Sequence, residues 1–166
     1  VLSFTAEEMW AAMPAIARDA DSVHLSSWYV ENPEFINAEL DSKWDKIIKL
    51  RKEVNKVLEK ARQGENRIIG NSLDAEVSLF IGNDEYKSLL ADKELLEMIF
   101  IISKLNIVET KDDSFTESEE LKDISIKVAH ATGEKCERCW KYSEELGTHE
   151  EHSTICPRCT GVLVNN

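Results

Sequence analysis

Cys136-Glu137-Arg138-Cys139 and Cys156-Pro157-Arg158-Cys159 hold all four cysteines of the chain in two identically spaced pairs, C-x2-C-x16-C-x2-C. Two thiolates three positions apart grip one tetrahedral ion from a tight turn, and a second such turn closes the shell with no position left for water. The spacing predicts one structural zinc ion held by Cys136, Cys139, Cys156 and Cys159. A closed all-thiolate site contributes on the order of 10 kcal/mol of apparent folding free energy, so here it stands in for a hydrophobic core. Two disulfides are the alternative for four cysteines in a small domain. The two-residue spacer in both pairs, with no signal peptide ahead of them, weighs for the metal. His149 and His152 are expected to be surface-loop residues, because four sulfurs already complete the shell.

Trp140 follows a ligand directly, with Lys135, Arg138 and Lys141 around it. A rigid aromatic flanked by cations suits stacking on an unpaired base while the charges meet phosphates, which is worth ~1–3 kcal/mol per base. The alternative is that Trp140 packs on the rest of the protein, as most tryptophans do.

Outside this tail the 166 residues are 42% hydrophobic with 3 Pro and 6 Gly, a composition that predicts folded structure throughout. No apolar run reaches membrane-spanning length. The formal charge of −12 argues against nucleic acid and for a soluble cytoplasmic protein. That average hides a basic stretch: residues 43–67 carry nine Lys or Arg against four Asp or Glu. The chain starts at Val1 with no initiator Met, and a piece of a longer polypeptide is expected. The glycines stand too far apart for a phosphate-binding loop, and every thiol is assigned to the metal, so no catalytic centre is expected.

Thr5-Ala6-Glu7-Glu8 reads as a capping box opening a short helix that ends before Pro14, with Met9, Trp10 and Met13 on one packed side. Residues 16–33 are irregular, and His24 is given a structural role. A cap at Asp41 or Ser42 starts the longest helix. Trp44, Ile47, Ile48, Val54, Val57, Leu58 and Ala61 form its buried stripe, and Lys49, Lys52, Lys56 and Lys60 its opposite face. That lysine row faces either solvent or phosphate. Beyond Gly70 the period changes to two, predicting strands over Leu73–Ile81, over Ile99-Phe100-Ile101-Ile102 continuing to Val108, and over Ile124–Val128. One or two short helices are expected between Asp84 and Met98, and a polar loop over 111–120. The fold class is α+β: a helical segment (1–68), a small three-stranded α+β domain (69–132) and a four-cysteine zinc module (133–166).

Lys135-Cys136-Glu137-Arg138-Cys139-Trp140-Lys141-Tyr142-Ser143, followed by Cys156-Pro157-Arg158-Cys159, resembles the C-terminal zinc end of bacterial-type isoleucyl-tRNA synthetases. Leu2-Ser3-Phe4-Thr5-Ala6-Glu7-Glu8-Met9-Trp10, Ser22-Val23-His24-Leu25, Trp44-Asp45-Lys46, Leu50-Arg51 and Ile69-Gly70-Asn71-Ser72-Leu73-Asp74-Ala75 look like successive landmarks of the anticodon-binding region of those enzymes. The resemblance implies the C-terminal part of a class I aminoacyl-tRNA synthetase that joins isoleucine to its tRNA with ATP. Its HIGH and KMSKS signatures, and with them ATP binding, would lie upstream in catalytic and editing domains. It implies that Arg138 and Trp140 reach the anticodon. Read from their placement alone, Lys135, Lys141 and the Lys49, Lys52, Lys56, Lys60 row are candidates for further tRNA contacts. The expected partners are an isoleucine tRNA and the rest of a monomeric synthetase, without a membrane. Two alternatives remain: a zinc module that only braces the synthetase C-terminus, and the zinc tail of a formamidopyrimidine-type DNA glycosylase. The second lacks the N-terminal Pro-Glu that such enzymes need.

Overall fold

The computed structural model describes residues 2–65 and 67–164. The chain divides into two compact units, Val1–Ala38 and Glu39–Asn166.

In the first unit, helix α1 (Ser3–Ala12) is followed by short 3₁₀ turns at Ala15–Ala17, Val23–Leu25 and Pro33–Phe35. The expected capping box is not used. The helix starts two residues ahead of Thr5, with the Leu2 carbonyl accepting the Ala6 amide at 2.7 Å, so Thr5 lies inside the first turn. The far end is as expected: Met13 is extended at ψ 147, as a residue before proline must be. Met9 is 67% exposed, while the Trp10 indole donates to the Ala20 carbonyl at 3.0 Å. His24 sits 4.0 Å from the Glu7 carboxylate, which also accepts from the Ser22 hydroxyl and the Val23 amide.

All of α2 (Ala38–Arg62) but its first residue belongs to the second unit, and the helix starts before the expected cap at Asp41 or Ser42. Ala38, Glu39 and Leu40 are good helix formers, and Glu39 and Asp41 then fall in the first turn, where the helix dipole favours them. Ile47, Leu50, Val54, Leu58 and Ala61 are buried against the sheet, and Glu53 is buried among them. The expected stripe is shifted: Ile48 is 59% and Trp44 39% exposed.

The sheet runs in the order β2-β1-β4-β3, from β1 (Ala75–Ile81), β2 (Lys104–Val108), β3 (Thr116–Glu117) and β4 (Ile124–His130). β1 pairs in parallel with β2 and antiparallel with β4, with Leu79 opposite both Ile107 and Ile126. Strands form over the first and third expected runs and over the second half of the second, and the two-residue β3 adds a fourth inside the polar loop. The alternation read in β1 is realised residue by residue, Ala75, Val77, Leu79 and Ile81 being buried.

A parallel neighbour needs a crossover, and α3 (Asp84–Lys87) and α4 (Lys93–Phe100) supply it. Here the expected strand over Ile99–Ile102 is corrected. Ile99 and Phe100 close α4, Ile101 turns out left-handed at φ 57, and β2 begins at Lys104. Asp92 caps the helix by accepting from the Leu95 amide, and burying Leu96 and Phe100 in the shared core outweighs the strand preference of isoleucine.

Candidate metal centre

The first cysteine pair sits in a knuckle made by the short hairpin of β5 (Glu134–Lys135) and β6 (Tyr142–Ser143). Gly133 opens it at φ 91, where an added Cβ would lie 2.4 Å from the Ser143 backbone, so no other residue fits. The Cys136 amide donates to the Lys141 carbonyl at 2.9 Å and the Trp140 amide to the Cys136 carbonyl at 2.9 Å, which closes the turn. The second pair spans the start of α5 (Pro157–Val164), with proline at the first helical position where its missing N–H costs nothing. The Glu137 amide donates to the Thr154 carbonyl at 3.1 Å and ties the two knuckles together.

Cys136, Cys156 and Cys159 are buried and Cys139 half-buried, with Leu146 and Ile155 the other hydrophobic residues packed against them among the described residues. All four sulfurs lie within 4.8 Å of one another, and those of Cys139 and Cys156 are 3.7 Å apart. Four Zn–S bonds of about 2.3 Å in a tetrahedron set sulfurs about 3.8 Å apart. The donor set therefore fits a closed structural zinc site, and every cysteine is a free thiol rather than half of a disulfide. Burial raises the Cys136 thiol, but amide donors from Cys139, Cys156 and Arg138 outweigh it and bring the pKa down to about 6. Burial pushes Cys156 the other way, to about 12. His149 and His152 stack on each other, 5.4 Å between rings, and take no part in the sulfur cluster.

Trp140 sits on the knuckle, 59% exposed, with its backbone at φ 64, a left-handed conformation within the turn that its amide closes on the Cys136 carbonyl. A shallow cleft of about 430 Å³ beside it is lined by Asn71, Lys135, Cys136, Glu137 and Trp140. The cations expected around it have partners within the chain. Lys135 lies 3.5 Å from Asp74, Lys141 3.7 Å from Glu97, and the Arg138 guanidinium donates to the Cys159 sulfur at 3.5 Å. The α2 lysines lie apart from this group, on an acidic turn: Lys52 is 3.1 Å from Glu120, Lys56 2.6 Å from Glu53 and 3.1 Å from Glu120, and Lys60 3.9 Å from Glu119. The spacing of these lysines was legible in the sequence. Their partners, some sixty residues away, were not.

Two residues of the site escaped the sequence reading. Ser103 receives the Tyr142 amide at 2.7 Å and donates to the Leu73 carbonyl at 2.5 Å, fastening the knuckle to the sheet, and nothing in its local sequence marks it. Arg158 lines one cleft with Cys139, whose sulfur holds the guanidinium pKa up. Its signal was present, because it holds in the second pair the place that Arg138 holds in the first.

Residues 133–160 match the family described as "Zinc finger found in FPG and IleRS", and residues 1–79 the family described as "Anticodon-binding domain of tRNA ligase". The chain is 42% identical to the isoleucine–tRNA ligase of Desulforamulus reducens over 98% of its own length. It is 40% identical to that of Syntrophotalea carbinolica over 99%, and 40% to that of Thermotoga petrophila over 98%. In each case the chain spans 17% of the relative's length.

Proposed function

Because this chain belongs with the C-terminal, anticodon-binding and zinc-bearing region of bacterial isoleucine–tRNA ligases, we propose that it is the tRNA-recognition part of such an enzyme. In this reading the ligase joins isoleucine to its tRNA with ATP on segments beyond these residues, as a monomer in the cytoplasm, and this part grips the anticodon arm. No described helix is long and apolar enough to cross a membrane. The observation that carries the reading is the exposed Trp140, set on the hydrogen-bonded cysteine turn beside a cleft that Lys135 lines. An indole held in place offers an unpaired base a stacking face at little entropic cost. Arg138 and Lys141 stand on the same turn as phosphate or base-edge donors.

A second reading is favoured by a specific set of contacts. The Tyr142 amide on Ser103, Lys141 on Glu97, and Lys104 3.3 Å from Glu144 all bind the module to the sheet, as a brace would. Trp140→Ala in the full ligase with zinc in excess separates the two. We expect tRNA affinity to fall roughly 5- to 100-fold, the equivalent of one lost stacked base, with melting unchanged. Unchanged affinity with lowered stability would leave the brace. The glycosylase tail has no such support, since the same chain matches an anticodon-binding family over residues 1–79.

The α2 lysines are retained as a phosphate-facing margin, weakened by their glutamate partners. Lys49 is exposed on that row outside the ion pairs of Lys52, Lys56 and Lys60. Lys49→Gln is expected to lower the slope of log K against log salt by roughly one unit or less. An unchanged slope would return the row to a solvated face.

A further inference from the structure

The two cysteine pairs are built alike, Cys-Glu-Arg-Cys and Cys-Pro-Arg-Cys, and the fold crosses their arginines over. Arg138 of the first pair donates from Nη1 to the sulfur of Cys159, the last cysteine of the second. Arg158 of the second pair stands beside Cys139, the last cysteine of the first: the two line one cleft, and the Cys139 sulfur holds the guanidinium pKa up. Cys136, the first cysteine of its pair, is served differently, by backbone: the Cys156 amide donates to its sulfur at 3.3 Å. The two guanidinium groups thus divide the last cysteines between them, Arg138 on Cys159 and Arg158 beside Cys139.

Four thiolates around a divalent ion carry a net charge of −2, and the module has almost no apolar mass to shelter it: Leu146 and Ile155 are the packed neighbours. Two arginines bring +2 to that charge. A guanidinium stays charged at any working pH and offers several N–H groups in a planar fork, so it neutralises a thiolate without competing for the metal. Groups that hydrogen-bond metal ligands typically alter metal retention by about 10- to 100-fold when removed.

We infer that Arg138 and Arg158 are a reciprocal pair of positioning residues that hold zinc in this module by neutralising the sulfurs of Cys159 and Cys139. The inference stands whether or not RNA touches the module. It gives Arg138 a duty on the metal beside its proposed duty on tRNA, and gives Arg158 a duty on the metal alone.

The test is zinc release from the intact zinc-loaded protein to a chromogenic chelator, in Arg138→Met and Arg158→Met, with cobalt-substituted samples read in parallel. Release is expected to accelerate roughly 10- to 100-fold in each variant. The sulfur-to-cobalt charge-transfer band is expected to shift to lower energy, because a sulfur without its donor holds its electrons less tightly. Should a methionine variant fail to fold, Arg158→Lys keeps the charge, loses the fork, and is read by the same band. Release within about twofold of the parent overturns the inference. So does faster release with an unmoved band, which would mean a loosened fold rather than a lost sulfur donor.

Discussion

Stripping the metal is expected to unfold residues 133–164 and leave the sheet standing. The module's own core is three cysteines with Leu146 and Ile155 against them, far too little apolar surface to offset the entropy of ordering some thirty residues. The ion supplies the difference, on the order of 10 kcal/mol. The sheet has its own core, in which Val77, Leu79, Leu105, Ile124 and Ile126 meet Leu50 and Val54 of α2. Its hydrogen bonds to the knuckle through Ser103 lie at its edge. Hydrogen exchange with and without a chelator reads this directly. Protection should vanish at the amides of Cys136, Trp140 and Thr160 and persist in β1 and β4. A chain that melts as one unit, or knuckle amides that stay protected without metal, would refute the assignment of stability to the ion.

Glu53→Ala is expected to have the second largest effect, a loss of about 3–5 kcal/mol. Glu53 is a carboxylate 2% exposed, set in the apolar face of α2. One oxygen accepts from the Ser118 hydroxyl at 2.6 Å and from the amides of Glu119 and Glu120 at 2.9 and 3.3 Å; the other pairs with Lys56 at 2.6 Å. The Ser118 oxygen in turn accepts the Leu121 amide at 2.9 Å, so one buried charge organises the whole turn 118–121. Truncation leaves two backbone donors and the Ser118 hydroxyl without their acceptor, while Lys56 keeps Glu120. Denaturant unfolding should show the midpoint falling sharply, with Ser118→Ala costing only about 1 kcal/mol. A change in the Glu53 variant no larger than that would sink the latch.

The same carboxylate sets an acid limit. Burial raises its pKa, but Lys56, Ser118 and the two amides outweigh burial and bring it down to about 2 from an ordinary 4.5. A depressed pKa means that the charged form stabilises the fold. The contribution is therefore complete above about pH 4.5 and is lost as pH falls from there toward 2. Glu53→Ala should abolish that part of the acid dependence.

The metal site and the strands β1 and β4 were legible in the sequence because their signals are local. Four cysteines at fixed spacing specify a tetrahedral shell wherever the chain runs, and alternation with a period of two specifies a half-buried strand. The helix ends were less legible. Thr5 and Asp41 look like caps by type, but a cap is decided by which carbonyl starts the ladder, and both helices start earlier. Ile99-Phe100-Ile101-Ile102 has the composition of a strand and closes a helix, because the parallel pairing of β1 with β2 demands a crossover that ends there.

By itself, the sequence determined the zinc ligands and the α+β class, through cysteine spacing and hydrophobic period, and left open whether Trp140 is packed or, as the structure has it, 59% exposed. Only the tertiary structure decided which charges remain available. Glu53 and Lys56 are three apart on one helix, yet what gives them their roles is a turn sixty-five residues downstream. Arg138 and Arg158 likewise find their sulfurs only when the two knuckles close on each other. Electrostatic pairing acts through space over a few ångströms, and no periodicity in a chain records which distant residue will arrive there.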